Sequence, residues 1–310
     1  MVSVIMLTYN REKYVKKMIE DIINQTYTEF EFIIIDNGSS DESGTIADDY
    51  QKKDDRIKVF HLPEPHSIGF ARNYGVCKSQ GEYIAFVDDD DRVDNEFLEF
   101  LVELMTENNA DISMCGATEG DGITRNPQCL FDEKMVINGE EAVRMLIDRK
   151  YIRAGMPTKL YRRQILEAYP FVENYKNEDI HTQYKYLLMS KVVAIHGVDH
   201  YYITRHASNV SRFTSDAGKW DSRTMQDYLD AYHNRTAFIQ KNAPNTYDMA
   251  LYSEWSFMIS MIDKIERYHL ADCSAIEKKL KQEISVHKSR FIEMPWIKDF
   301  EQVWIERYLG

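Results

Sequence analysis

Asp88, Asp89, Asp90 and Asp91 stand in an unbroken row directly after Tyr83-Ile84-Ala85-Phe86-Val87. The apolar run reads as a buried strand. The row therefore sits at a strand's C-terminal end, where ligands of an open α/β sheet gather. Adjacent like charges repel, and such a row persists only if solvated, protonated or neutralised by a cation. A divalent ion held between the row and a substrate's phosphates would resolve the repulsion and assist chemistry. The plainer alternative is a solvated acidic turn capping the next helix.

Three further segments fall at predicted strand ends or just beyond them: Thr8-Tyr9-Asn10, Asp36-Asn37-Gly38-Ser39, and His66 through Gly69, Arg72 and Asn73. In a parallel sheet these ends share one edge, so the segments can converge. Tyr9 offers a flat face for a base. Asp36 can accept a hydrogen bond from a base N–H or a ribose hydroxyl. Arg72 can make a forked contact to phosphate or carboxylate. With the aspartates, they describe a site for a metal-bound nucleoside diphosphate.

The elements that must position these groups follow from hydrophobic spacing. Strands are expected at 2–7, 30–35, 57–62, 83–87 and 111–115, and helices at 12–25, from Ser40 or Asp41 to about 53, at 67–79 and at 95–107 with Asp94 as cap. Strands alternating with helices of this length imply right-handed βαβ units and a mostly parallel α/β sheet flanked by helices. Residues 116–136 read as a loop, and helical patterns follow at 139–148, 162–168 and 178–189. Two strands, 191–195 and 200–204, are expected on either side of a turn at 196–199. From about 215 the pattern is helical: 221–240, 247–268, 274–287 and 296–308. Those stripes suit helix–helix packing, with an acceptor, partner or homo-oligomer surface as the alternative.

A chain of 310 residues has room for a substantial core. Its net charge of −13 argues against nucleic-acid binding and against electrostatic docking on anionic lipid. Cys77, Cys115, Cys129 and Cys273 are scattered and read as free thiols of a reducing cytoplasm. No apolar run approaches the ~20 residues of a membrane span, so any membrane contact is expected to be peripheral, from the cytoplasmic side. A dehydrogenase would carry Gly-x-Gly-x-x-Gly after the first strand, where this chain has Thr8-Tyr9-Asn10-Arg11-Glu12. An EF-hand read from Asp88 fails at its sixth position, which is Val93 rather than glycine.

In combination and order, the segments at residues 2–10, 33–41, 69–75 and 81–91 resemble the family 2 glycosyltransferases of the GT-A fold. The likeness is dense to about residue 115 and thinner to about 212. It implies a nucleotide-sugar half at 1–115, an acceptor half at 116–214 and a helical region at 215–310. It also implies nucleotide contacts from Thr8, Tyr9, Asn10, Asp36, Gly69, Arg72, Asp88 and Asp89. Asp88 and Asp90 look like the family's Asp-x-Asp pair for Mn²⁺ or Mg²⁺, with His206 as a further ligand. Asp179 looks like the catalytic base, with Glu178 placing the acceptor. Considered without the resemblance, two acids in a helix's first turn are also what the macrodipole favours, and a lone histidine beside a strand is commonly structural. Leu7, Asp89 and Arg92 depart from the family's usual proline, small and aromatic residues. The implied activity is inverting transfer from a UDP-sugar to a glycan, glycolipid or glycoprotein hydroxyl in surface-polysaccharide synthesis. A sugar nucleotidyltransferase and a non-catalytic scaffold are the alternatives.

Overall fold

β1 (Val2–Thr8) and β2 (Phe30–Asp36) are buried along nearly their whole length, as strands covered on both faces must be. Pairing is parallel from β3 (Ile57–His61) through β2 and β1 to β4 (Tyr83–Asp88). The connections carry α1 (Val15–Ile23), α2 (Ser43–Gln51) and α3 (Ile68–Lys78). α1 buries Val15, Met18, Ile19 and Ile22, the stripe its spacing predicts. This computed structural model describes residues 1–121, 123–206 and 217–310.

Two helix starts differ from expectation, for one reason. Asp41 accepts hydrogen bonds from the Ser43 backbone at 3.0 Å and from the Glu12 backbone at 3.1 Å, so α2 begins only at Ser43. Asp94 accepts from the Glu96 backbone at 3.0 Å and faces His200 Nδ1 at 2.8 Å, and α4 (Phe97–Glu107) begins after Glu96. In both places the predicted cap braces the approach to the helix instead.

Beyond α4 the sheet is mixed rather than mostly parallel. β5 (Arg92–Val93) follows the acidic row and pairs antiparallel with β10 (Val193–Thr204). β6 (Ile112–Gly120) is longer than predicted and runs across residue 115. The expected loop at 116–136 also contains β7 (Asn126–Gln128) and β8 (Phe131–Ile137), which pair antiparallel with β6 and β10. β9 (Lys159–Arg162) inserts antiparallel between β4 and β6, and Tyr161 on it is fully buried. β10 is one strand: the predicted turn at 196–199 is a bulged stretch whose register shifts while pairing continues. α5 (Gly139–Asp148), α6 (Arg163–Ala168) and α7 (Glu178–Met189) complete this unit.

The chain divides into two units, Met1–Arg205 and His206–Gly310. The expected boundary at 214–215 falls outside the described residues. The second unit holds α8 (Ser222–Asn242), α9 (Tyr247–Tyr268), α10 (Ser274–Ile292) and α11 (Asp299–Leu309) around Trp255, Ile259, Ile262, Ile284 and Phe291. Asp221 caps α8 by accepting from Thr224 N at 2.7 Å. Among the described residues, no helix is long and apolar enough to cross a membrane.

Candidate active site

The turns beyond β1 and β2 are tied together. Asn10 has φ of 53°, a left-handed conformation that asparagine tolerates better than most residues. Its backbone N–H donates to Ser39 Oγ at 3.1 Å, and its side-chain oxygen accepts from Ser40 N at 2.8 Å. Tyr9 beside it is exposed. Asp36 is buried at the end of β2. It accepts from Ser39 N at 3.0 Å, and its other oxygen lies 2.8 Å from His61 Nδ1. That contact holds the His61 imidazole above its ordinary pKa. Sequence reading passed over His61. Its only signal was its position at the end of a strand neighbouring Asp36.

The acidic row folds into a tight turn in which Asp91 N donates to Asp88 O at 3.2 Å. Asp89 and Asp91 are buried and the Asp90 side chain is only 12% exposed, whereas the Asp88 side chain is 48% exposed. Asp88 is thus the member that faces outward. Asp91 accepts from Thr204 N at 2.8 Å, and Asp88 N donates to Tyr201 Oη at 3.1 Å. β10 thereby braces the row. Arg11, another residue the sequence reading missed, places Nε 3.7 Å from both Asp89 Oδ1 and Asp90 Oδ2. Its signal was a cation immediately after the first strand's terminal segment.

Arg72 joins the row to α7. It is buried over the rings of Phe86 and Phe171. One guanidinium nitrogen bonds the buried Glu178 carboxylate, and another lies 3.9 Å from Asp88 Oδ1. α3 is fixed to the segment leading into α7 by Asn73, which exchanges hydrogen bonds with the Phe171 backbone at 3.0 and 2.9 Å. Gly69 belongs to the same joint: a Cβ there would stand 2.0 Å from the Val172 carbonyl oxygen. That close approach accounts for the glycine by packing alone. Asp179, next to Glu178, is partly exposed and accepts from Ile180 N at 2.8 Å. Geometry therefore brings Thr8, Tyr9, Asn10, Asp36, Arg72, Asp88, Asp89, Asp90, Glu178 and Asp179 to one edge of the first unit. His206, expected as a metal ligand, is the first residue of the second unit, and its role stays a proposal from sequence.

A match with the sequence model "Glycosyl transferase family 2" over residues 3–169 covers more than half of the chain. The chain belongs to that family. GlyG of Streptococcus pneumoniae, a glycosyltransferase, is 32% identical over 220 residues, spanning 67% of this chain and 71% of GlyG. The crystal structure of Staphylococcus aureus TarS 1–349 in complex with UDP-GlcNAc superposes with a TM-score of 0.70 at 19% identity, covering 99% of this chain and 89% of that one. A mannosyltransferase of Pyrobaculum calidifontis in complex with GDP-Man and Mn²⁺ gives 0.61 at 14% identity, covering 99% and 84%. Both structures match in fold. This family 2 glycosyltransferase has the GT-A architecture with an added set of C-terminal helices.

The glycosyltransferase's site is electrostatically loaded. Desolvation by the surrounding walls, against the pull of Arg72 and aided by Asp90 and Asp179, raises Asp88 although half of its side chain still reaches solvent. Burial raises Asp89 to about 8 and Asp91 well above the carboxylate range. Burial, opposed by Arg72 and aided by Asp179, raises Glu178 to about 7. In each case the folded protein keeps a proton that the unfolded chain gives up near pH 4. By linkage, stability then falls as pH rises from about 5 to about 8, after ordinary carboxylates have finished titrating. His61, also raised, contributes in the same direction. The thermal midpoint of the metal-free protein is expected to drop across that window, and Asp89→Asn to flatten the drop. A parental midpoint that rises from pH 5 to 8 in scanning calorimetry contradicts this account of the row.

Proposed function

We propose that this glycosyltransferase moves a sugar from a UDP-sugar to a hydroxyl of a glycan or lipid-linked glycan, with inversion and with the help of Mn²⁺ or Mg²⁺. The observation that carries the reading is the bridge through Arg72, which links Asp88 of the acidic row to Glu178 at the start of α7. The bound UDP-GlcNAc of TarS and the GDP-Man and Mn²⁺ of the mannosyltransferase support it by fold likeness.

The donor set fits a divalent ion. Among the described residues, no three His, Cys, Asp or Glu side chains form a ready ligand group. A small hard cation needs only one or two carboxylates, however, when substrate phosphates and water complete its shell. Asp88 and Asp90 would supply them, with His206 proposed in addition. When bound, the ion offsets negative charge on the departing diphosphate.

The remaining roles fall to the chain. Asp36 accepts from the uracil N–H, and Tyr9 lies against the base. Arg72, held from behind by Glu178, keeps a fixed positive charge near the diphosphate. Asp179 takes the acceptor hydroxyl's proton as its oxygen attacks the anomeric carbon from the face opposite the nucleotide. Glu178 acts on the acceptor only through Arg72 and α7, because its own carboxylate is buried and engaged. The acceptor is proposed to be met at the cytoplasmic face of a membrane in surface-polysaccharide synthesis. Self-association through the C-terminal helices, where Trp296, Phe300 and Val303 are exposed, is part of the same proposal.

Titration calorimetry tests the reading. UDP is expected to bind at least tenfold more tightly in Mn²⁺ than in chelator, and Asp90→Ala to remove most of that difference. Equal binding in chelator and in Mn²⁺ overturns the metal-dependent donor site.

A further inference from the structure

We infer that His61 is a positioning residue for base recognition: as an imidazolium bridging two carboxylates, it locks Asp36 in the orientation that accepts the uracil N–H. This rests on the reading of Asp36 as the uracil acceptor and adds the residue that makes that acceptor selective.

His61 ends β3, and its register partner on β2 is Asp36. β3 is the edge strand of the sheet, and β2 and α2 pack on it. Each of them presents one carboxylate to the ring. His61 Nδ1 lies 2.8 Å from Asp36 Oδ2, and Nε2 lies 3.0 Å from Asp48 Oδ1 on α2. A neutral imidazole has one N–H and one lone pair, whereas a carboxylate only accepts. Both contacts are hydrogen bonds only when both nitrogens carry protons. The bond to Asp36 is the largest cause of the ring's raised pKa, opposed by partial burial and reinforced by Asp48.

The Asp36 carboxylate is confined from three sides. Oδ2 takes the imidazolium proton, and Oδ1 takes the Ser39 N–H at 3.0 Å. A Cβ at Gly44 would stand 2.5 Å from Oδ2, so the glycine lets α2 close over the pair. The terminal torsion of an aspartate is otherwise broad. Uracil has a proton at N3, where cytosine has a lone pair. A carboxylate held in place therefore pairs with the first and meets the second lone pair to lone pair. A site built around one such hydrogen bond discriminates strongly against an analogue that lacks it. Freed from His61, the carboxylate can turn toward cytosine's amino group instead, and selectivity is lost.

The test is titration of UDP and CDP into the full chain with Mn²⁺ by calorimetry. Metal and diphosphate are common to both ligands, so the ratio of affinities reports on the base. The parent is expected to bind UDP at least tenfold more tightly than CDP. His61→Ala should weaken UDP by about tenfold, the scale of one charge-assisted hydrogen bond, and CDP by less than about twofold. His61→Asn keeps an amide donor near the place of Nδ1 and should return UDP to within about threefold of the parent. Asp48→Ala, at a half-exposed position on α2, removes the second contact and should weaken UDP by about threefold with CDP unchanged. It carries the test if His61→Ala does not fold. Equal loss of both nucleotides in a folded variant, or an unchanged ratio, overturns the inference, as does a failure of asparagine to restore UDP. A parent that binds UDP and CDP equally overturns the assignment of Asp36 to uracil instead.

Discussion

Asp179→Asn is expected to leave UDP affinity within about twofold of the parent and to lower sugar transfer by about 10²–10⁴, the usual contribution of a general base. The expectation comes from the contrast between two adjacent acids. Glu178 is buried and its carboxylate is committed to Arg72. Asp179 is partly exposed, and its charge adds to the upward push on both Asp88 and Glu178, so it belongs to the same site. Asparagine preserves the size and can still accept the bond from Ile180 N, so α7 keeps its first turn. What it cannot do is take a proton. Transfer to acceptor and binding of UDP, measured on one preparation, separate the two effects. Transfer at the parental rate removes Asp179 from the role of base.

The first βαβ units were legible because β1 and β2 are buried on both faces and α1 and α4 carry clean apolar stripes. β2 is buried at every position and α4 buries Phe97, Leu98, Leu101, Leu104 and Met105, as spacing alone predicts. The second half was not, because its strands depend on partners distant in sequence. β9 has four residues and no alternation of its own, and it exists because β4 and β6 leave a gap between them. Burial of Tyr161 and Lys159 follows from that insertion, and a basic Lys-Leu-Tyr-Arg run gives no hint of it. β10 looked like two strands because Gly197 interrupts the apolar pattern. In the fold, a Cβ at Gly197 would approach the Phe131 backbone at 2.4 Å, so the glycine lets β8 close against β10 without ending either strand.

The site divides along similar lines. Residues proposed to act through their own chemistry, such as the acidic row and Asp36, could be named from type and strand position. Residues that act by holding others could not. Arg11 reaches Asp89 and Asp90 from the turn after β1, His61 backs Asp36, and Tyr201 braces the Asp88 backbone. Each is an ordinary residue until the sheet order makes it a neighbour. Glu178 is the converse case, since the family resemblance implied that it places the acceptor, and its buried carboxylate is engaged by Arg72.

Arg72→Met should have the largest combined effect on stability and activity. It removes the cation between two carboxylates while keeping an apolar side chain over Phe86 and Phe171. Glu178, 3% exposed, is then left without its partner. Breaking one side of a buried ion pair costs about 3–5 kcal/mol when the survivor stays charged. Glu178 already stands at about 7 with Arg72 pulling it down, so without Arg72 it rises further. A raised carboxylate loses stability as pH climbs toward its folded-state value, and the deficit relative to the parent should therefore grow above pH 7 and shrink below it. Chemical denaturation at pH 6 and pH 8 reads that difference. Transfer should fall by about 10²–10³, the scale for losing one preorganised electrostatic donor. Arg72→Met combined with Glu178→Leu resolves the two roles. Replacing both members of a buried pair by apolar groups is often neutral, so stability should return while transfer stays low. Recovery of transfer along with stability in that double variant makes Arg72 a purely structural cation and withdraws it from the diphosphate.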